Sequence, residues 1–148
     1  MSRKEKAMAL FESGYNCAQS VVLAFSDLLS IDEKALAMLA SSFGGGMGRL
    51  REVCGAVTGM FMTAGLLYGY DGAETGAKKA EHYARIQLLA ERFSEETGSI
   101  ICRELLGLDR KKDSPTPDKR TVEYYKKRPC KELVGLAAEI LEEMMETE

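Results

Sequence analysis

The chain has 148 residues, of which 45 % are apolar and 29 % are charged. This length suits one domain with a single core, and the composition excludes a mainly disordered protein. Its 20 basic and 23 acidic side chains give a formal net charge of −3, which provides no field for attracting nucleic acid or an anionic membrane. We therefore expect one domain over residues 1–148 with neither a nucleic-acid nor a membrane partner.

The N-terminal segment, MSRKEKAMALFESGYN, is too polar and too charged to be the apolar region of a secretory signal. The expected location is therefore the reducing cytoplasm. Structural disulfides are disfavoured there, so the four cysteines of the chain need another explanation.

Capping residues and apolar periodicity predict the first helices. The first covers about 2–13, and the second begins at Cys17, with Asn16 as its N-cap, and continues to about Leu29. Ser30–Ile31–Asp32–Glu33 has the spacing of a capping box and predicts a third helix that ends near Ser42.

A glycine-rich stretch separates these helices from the most apolar part of the chain. Residues 43–49 predict a loop in which glycines adopt positive φ and allow close backbone approach. Residues from about 51 to 70 are almost free of charge, and Gly55, Gly59 and Thr63 recur every four positions on one helical face. That stretch is at the short end of the roughly 20 residues that a membrane span needs, and its glycines lower the hydropathy. It therefore predicts a buried central helix, and a homodimer through helix 53–69 is an alternative use of its small-residue face.

The pattern of the second half of the chain also predicts helices. A long helix is expected over about 74–96, with an apolar stripe formed by Ala77, Ala80, Tyr83–Ala84, Gln87–Leu88 and Phe93. Ser99 is the expected cap of the next helix, which places Cys102 at its third position. Residues 108–118 predict a polar linker.

The C-terminal part of the chain follows this linker. A short helix is expected within 119–127, and Pro129 begins the last helix, with Cys130 one residue further in. No strand pattern is present. The expected fold is an all-α, single-domain bundle of about six to seven helices around the glycine-rich buried central helix.

All four cysteines fall at or near the start of a predicted helix: Cys17, Cys54, Cys102 and Cys130. The partial positive charge of a helix N-terminus favours a thiolate and can lower a thiol pKa from about 8.5 towards neutrality. Arginine and lysine neighbours in the sequence would act in the same direction. This shared placement predicts thiol chemistry, although a lone cysteine in an amphipathic helix is more often a small buried apolar residue.

The cysteines are far apart in sequence and form no C-x-x-C pair, so neither a thioredoxin-type motif nor a zinc knuckle is present. If the bundle brings the helix starts together, four thiolates could form two oxidisable pairs. They could equally form a tetrahedral site for Zn²⁺ or an iron–sulfur cluster.

Two other polar features are weaker. His82, the one histidine, is expected to be a bystander on a helix face. The basic residues between Arg110 and Arg128, together with Tyr124 and Tyr125, could bind an anion, but their mixed charge favours a solvated linker.

Four segments of the sequence resemble one family: GYNCAQSV around Cys17, CGAVTG from Cys54 to Gly59, ICRELLG around Cys102, and the isolated Cys130. They are similar to the signature of the C_GCAxxG_C_C family, small bacterial and archaeal proteins proposed to be redox-active. The likeness extends from about Gly14 to Cys130. It implies that the four cysteines are the functional residues. Some members carry selenocysteine in place of a cysteine, which implies that the replaced position is reactive.

The leading hypothesis is a thiol oxidoreductase in which one thiolate attacks an oxidant or a disulfide and a second cysteine resolves the intermediate. We expect Cys54, which follows the glycine-rich loop and two arginines, to be the attacking residue. The alternative is a metal- or iron–sulfur-binding helical module without turnover, with the same four cysteines as ligands. A third reading is an α-helical dimer with inert buried thiols. The redox partner and the choice among three disulfide connectivities stay open at the level of sequence.

Overall fold

The computed structural model describes residues 1–73, 76–109 and 112–147. Within these ranges it contains eight right-handed helices and no strand, which confirms the all-α fold. The helices are α1 (Arg3–Glu12), α2 (Cys17–Leu23), α3 (Glu33–Ala40), α4 (Gly55–Tyr68), α5 (Ala77–Thr97), α6 (Cys102–Leu105), α7 (Val122–Lys127) and α8 (Cys130–Thr147).

Helix α4 is the centre of the core, and α2, α5 and α8 pack around it. Its small-residue face lies against α2: a Cβ added to Gly59 would be 2.7 Å from the carbonyl oxygen of Ala18. The predicted close packing is therefore confirmed, and it occurs within one chain. Thr63 on the same face is fully buried. A homodimer through this helix remains a prediction. In the described ranges, no helix combines the length and the apolar character needed to cross a bilayer.

Two early helices end or begin differently from the prediction. Helix α2 stops at Leu23, and a 3₁₀ turn over Ser26–Leu28 follows, which leaves Leu28 42 % exposed. The N-cap of α3 is Asp32, whose side chain accepts a hydrogen bond from the backbone N–H of Ala35. The capping box predicted from Ser30 was wrong, because the helix begins at Glu33 and the Asp32 carboxylate caps it.

The apolar stripe predicted for the long helix was correct at Phe93 and wrong at its other positions, which are exposed. The buried side chains of α5 are Leu89 and Phe93, one turn apart, whereas Tyr83 and Leu88 are about half exposed. Packing against α4 and α8 selects one of two overlapping apolar stripes, and sequence periodicity does not show which. The predicted start at Glu74 lies outside the described residues.

Candidate functional site

The four cysteines line one cavity of about 400 Å³, here called the thiol cavity. Each lies at a helix start. Cys17, Cys102 and Cys130 are the first residues of α2, α6 and α8, and Cys54 is the N-cap of α4. Cys102 was expected two positions further into its helix, but the Ser99 hydroxyl accepts from Ile101 N–H and so holds the preceding residues outside it. All four thiols are free.

Close backbone packing brings the starts of α2 and α4 together. Asn16 caps α2 in a reciprocal capping box with Gln19, which fixes the start of that helix. A Cβ added to Gly55 would be 3.0 Å from the Cβ of Cys17. The glycine therefore allows the N-terminus of α4 to lie directly beside the first turn of α2.

A short antiparallel contact joins the segment before α4 to the segment before α6. Cys54 N–H donates to the carbonyl oxygen of Ile100 at 2.8 Å, and Cys102 N–H donates to that of Glu52 at 2.6 Å. Val53 and Ile101 form the intervening β-bridge. These bonds bring Cys54 and Cys102 to the same wall of the cavity, although they are far apart in the sequence.

The glycine-rich loop is a left-handed turn. Five consecutive residues, Gly45 to Arg49, have φ between 59° and 70°. Left-handed backbone costs a residue other than glycine roughly 1–2 kcal/mol, so Met47 and Arg49 are strained. There is also no room for a side chain at Gly46, because an added Cβ would lie 2.6 Å from the Cβ of Cys102. The prediction of positive φ and close approach is confirmed, and the turn places its arginines at the cavity.

Arg51 is the most buried charged residue of the site, with 3 % exposure. Its Nε donates to Asp113 Oδ2 at 2.9 Å, and its Nη1 lies 3.6 Å from Cys102 Sγ. Its Nη2 is buried and has no hydrogen-bond partner in the described part of the chain. A buried guanidinium with an unused donor is energetically costly, so its presence beside thiols is informative.

The segment predicted as a polar linker forms one wall of the cavity. Arg49 Nε donates to the carbonyl oxygen of Ser114 at 2.6 Å, and Asp113 N–H donates back to that of Arg49 at 3.0 Å. Arg120 donates to the carbonyl oxygens of Phe11 and Tyr15 and stacks on the Phe11 ring. Most of residues 112–118 are exposed, as expected of a polar linker, and Pro115, Pro117 and Asp118 also line the cavity. Residues 110 and 111 lie outside the described ranges.

Burial dominates the acidity of Cys54 and Cys102, and it also contributes at Cys17. It raises the pKa of Cys54 to about 12, in spite of backbone hydrogen bonds at the start of α4 that act in the opposite direction. Burial likewise raises the pKa of Cys102, although Arg51 opposes it. The pKa of Cys17 is raised well above the ordinary value, first by interaction with the Cys130 thiol and then by burial. The predicted lowering of pKa at helix starts was wrong for these three thiols, because loss of water at Cys54 and Cys102, and interaction with Cys130 at Cys17, outweigh the helix field.

Cys130 behaves in the opposite way, and its pKa is lowered to about 7. The largest cause is the interaction with the Cys17 thiol, which lowers the pKa, whereas burial raises it. The Tyr124 hydroxyl and the charges of Arg128 and Arg51 lower it further. The pKa of Tyr124 is raised by burial and by the nearby thiols, which keeps it a donor. The sequence analysis named Tyr124 only as a residue that could bind an anion, not as a partner of Cys130, because no helical spacing links residues on either side of the interruption between α7 and α8.

A family model described as "Putative redox-active protein (C_GCAxxG_C_C)" matches residues 15–144 of this chain. The chain belongs to this family. A search of curated proteins and a search of solved structures found no match. The four signature cysteines of this C_GCAxxG_C_C protein are the four thiols of the cavity.

A metal site formed by the cysteines of the C_GCAxxG_C_C signature requires several ligands grouped around one ion. Across residues 1–73, 76–109 and 112–147, no three His, Cys, Asp or Glu side chains are grouped as a metal ion requires. His82 does not line the thiol cavity, and its ring lies against Tyr70 with the centroids 6.1 Å apart. The structure thus places all four thiols in one cavity, where Cys17 and Cys130 affect the pKa of each other.

Proposed function

We propose that this protein is a dithiol–disulfide oxidoreductase in which Cys130 is the attacking thiolate and Cys17 is the resolving thiol. The observation that carries the proposal is that Cys17 and Cys130 line the same cavity, where interaction with the Cys17 thiol lowers the pKa of Cys130 to about 7. A thiol with a pKa near ambient pH combines a large thiolate fraction with sufficient nucleophilicity. Both residues are partly exposed, so a disulfide can reach them.

The proposed reaction has two exchange steps. The Cys130 thiolate attacks one sulfur of an external disulfide, its S–S bond breaks, and the other half leaves as a thiolate that takes a proton from solvent. Cys17 then loses its proton and attacks the Cys130 sulfur, which releases the second half as a thiolate. The protein dithiol is oxidised to a Cys17–Cys130 disulfide by two electrons, and the external disulfide is reduced to two thiols.

The roles of the other cysteines differ from the expectation of Cys54 as the attacking residue. A pKa of about 12 and an exposure of 5 % keep the Cys54 thiol protonated and covered at neutral pH. This environment argues against attack by Cys54. Cys102, beside Arg51, has a cation able to stabilise its thiolate but is also buried.

Trapping of the mixed disulfide tests this assignment. Reduced protein is mixed with 5,5′-dithiobis(2-nitrobenzoate), and the adduct is located by peptide mass spectrometry. We expect Cys17→Ser to accumulate the adduct on Cys130, and wild type to pass on to a Cys17–Cys130 disulfide. Cys130→Ser should form no rapid adduct.

Cys54→Ser is the matched control, and it should react like wild type. Rapid adduct formation on Cys54 in wild type, or normal turnover in Cys130→Ser, would contradict the proposal. A slow reaction in all variants and in wild type would contradict it as well.

A further inference from the structure

The charges around the thiol cavity are unbalanced. In the part of the chain that the structure describes, four arginines line it, against one carboxylate, Asp118. Asp118 is shared by Arg49 and Arg128, at 3.4 Å from each. Asp113, just behind the lining, pairs with Arg49 and Arg51.

Three of the four cations share two carboxylates, and Arg120 pairs with none in the described residues. Arg120 makes contacts with neutral acceptors, the carbonyl oxygens of Phe11 and Tyr15. Arg51 shares Asp113 and keeps a buried Nη2 with no partner in the described residues. The cavity therefore carries excess positive charge in a chain whose formal net charge is −3.

The position of these cations relates them to the thiols. Arg51 contacts Cys102, and Arg51 and Arg128 both act on Cys130 through their charge. A volume of about 400 Å³ lies in the range of small-molecule sites. A planar guanidinium with free donors matches the geometry of a carboxylate or a similar anionic oxygen group.

We infer that the substrate of the thiol cavity is a low-molecular-weight disulfide that carries an anionic oxygen group, such as a carboxylate, close to its sulfurs. Arg51 and Arg128 hold that group while Cys130 attacks the S–S bond. This inference rests on the proposed function, and it adds the substrate class and the residues that determine specificity.

Three disulfides of similar size but different charge provide the test: 3,3′-dithiodipropionate, 2-hydroxyethyl disulfide and cystamine. Their terminal groups are anionic, neutral and cationic at pH 7. The second-order rate of Cys130 oxidation is measured for each by mass spectrometry after acid quench. We expect the anionic disulfide to react about tenfold faster than the neutral one, equivalent to about 1.4 kcal/mol. The cationic one should be slowest, and added salt should reduce the contrast.

Charge-removing variants separate anion binding from thiol acidity. Arg128→Gln and Arg51→Gln change the acidity of Cys130, which alters all three rates by a common factor. Loss of anion binding instead lowers the ratio of the anionic rate to the neutral rate towards one. The Arg128 side chain is less buried than that of Arg51, with 19 % against 4 % exposure, so its variant keeps the test valid if the Arg51 variant does not fold. Arg92→Gln, which removes a pair with Glu143 outside the cavity, is the matched control and should keep the wild-type ratio.

The outcomes are distinct. Equal rates for the three disulfides, or an unchanged ratio in the folded Arg128 and Arg51 variants, would overturn the anionic-substrate inference and leave the dithiol mechanism standing. Failure of Cys130 to react with any of the three would overturn the proposed function itself. Inhibition by 3,3′-thiodipropionate, a thioether that cannot exchange, is expected to be competitive and to weaken in Arg128→Gln.

Discussion

At the scale of single residues, the acidity of a thiol depends on the balance between hydrogen bonding and loss of water. Cys54 and Cys130 both lie at a helix start, yet the pKa of one is about 12 and that of the other about 7. Burial prevails at Cys54. At Cys130 two side-chain donors and two arginines outweigh burial, because each stabilises the charged form directly.

The acidity of Cys130 should depend on Tyr124. We expect the alkylation rate of Cys130 by iodoacetamide, followed by peptide mass spectrometry, to reach half its maximum near pH 7. In Tyr124→Phe the midpoint should lie roughly one pH unit higher, since a hydrogen bond to a charged group contributes roughly 1.5–3 kcal/mol. Tyr125→Phe is the control, because Tyr125 packs on Phe11 instead. Equal midpoints in the two variants would refute the role of Tyr124.

At the scale of elements, the chain uses glycine in two different ways. In the left-handed turn glycine supplies a backbone conformation, and in α4 it removes a side chain that would separate two helices. Backbone strain and steric contact can be tested separately, because the glycines within one element differ in the space around an added Cβ.

Within the turn, Gly46→Ala should destabilise the fold more than Gly48→Ala. Both positions have positive φ, but a Cβ at Gly48 has nothing closer than 3.6 Å, whereas at Gly46 it meets Cys102 and the backbone at 2.6–2.9 Å. We expect Gly48→Ala to cost roughly 1–2 kcal/mol from strain alone, and Gly46→Ala at least twice as much. Urea unfolding measures both, and equal costs would show that the close approach to Cys102 is unimportant.

Within α4, alanine should have opposite effects at two glycines. Gly65 has open space around its added Cβ, so Gly65→Ala should stabilise the protein by up to about 1 kcal/mol through helix propensity. Gly59→Ala should destabilise it, because its Cβ would be 2.7 Å from the carbonyl oxygen of Ala18. Thermal and urea unfolding of the two variants provide the comparison. A stabilising Gly59→Ala would mean that α2 can move away at little cost.

At the scale of the whole molecule, the thiol acidities couple the stability of the fold to pH. The Cys54 pKa is raised from an ordinary value of 9.0 to about 12. The unfolded chain therefore releases this proton above pH 9 while the native protein keeps it. The stability contributed by native Cys54 is complete below pH 9 and is lost as pH rises towards 12. For Cys130 the sign is reversed: the contribution is complete above pH 9 and is lost as pH falls through about 7.

We therefore expect opposite pH trends in two alanine variants under reducing conditions. The stability advantage of wild type over Cys54→Ala should be constant between pH 7 and 9 and shrink between pH 9 and 11. Its slope cannot exceed about 1.4 kcal/mol per pH unit. The advantage over Cys130→Ala should instead grow between pH 7 and 9. Urea unfolding as a function of pH measures both, and parallel trends would contradict the assigned acidities.

Local features follow from the order of residues along the chain. Asn16 as a cap, the helical periodicity, the positive φ of the glycine loop and the placement of every cysteine at a helix start depend on interactions among near neighbours, which composition and spacing encode. The tertiary structure decided which thiol is acidic and which face of α5 is buried. It also made residues 112–118 a wall of the thiol cavity. Those outcomes depend on contacts between residues far apart in the chain, such as Arg51 with Asp113 and Cys17 with Cys130, and on how much water each group loses when the helices pack.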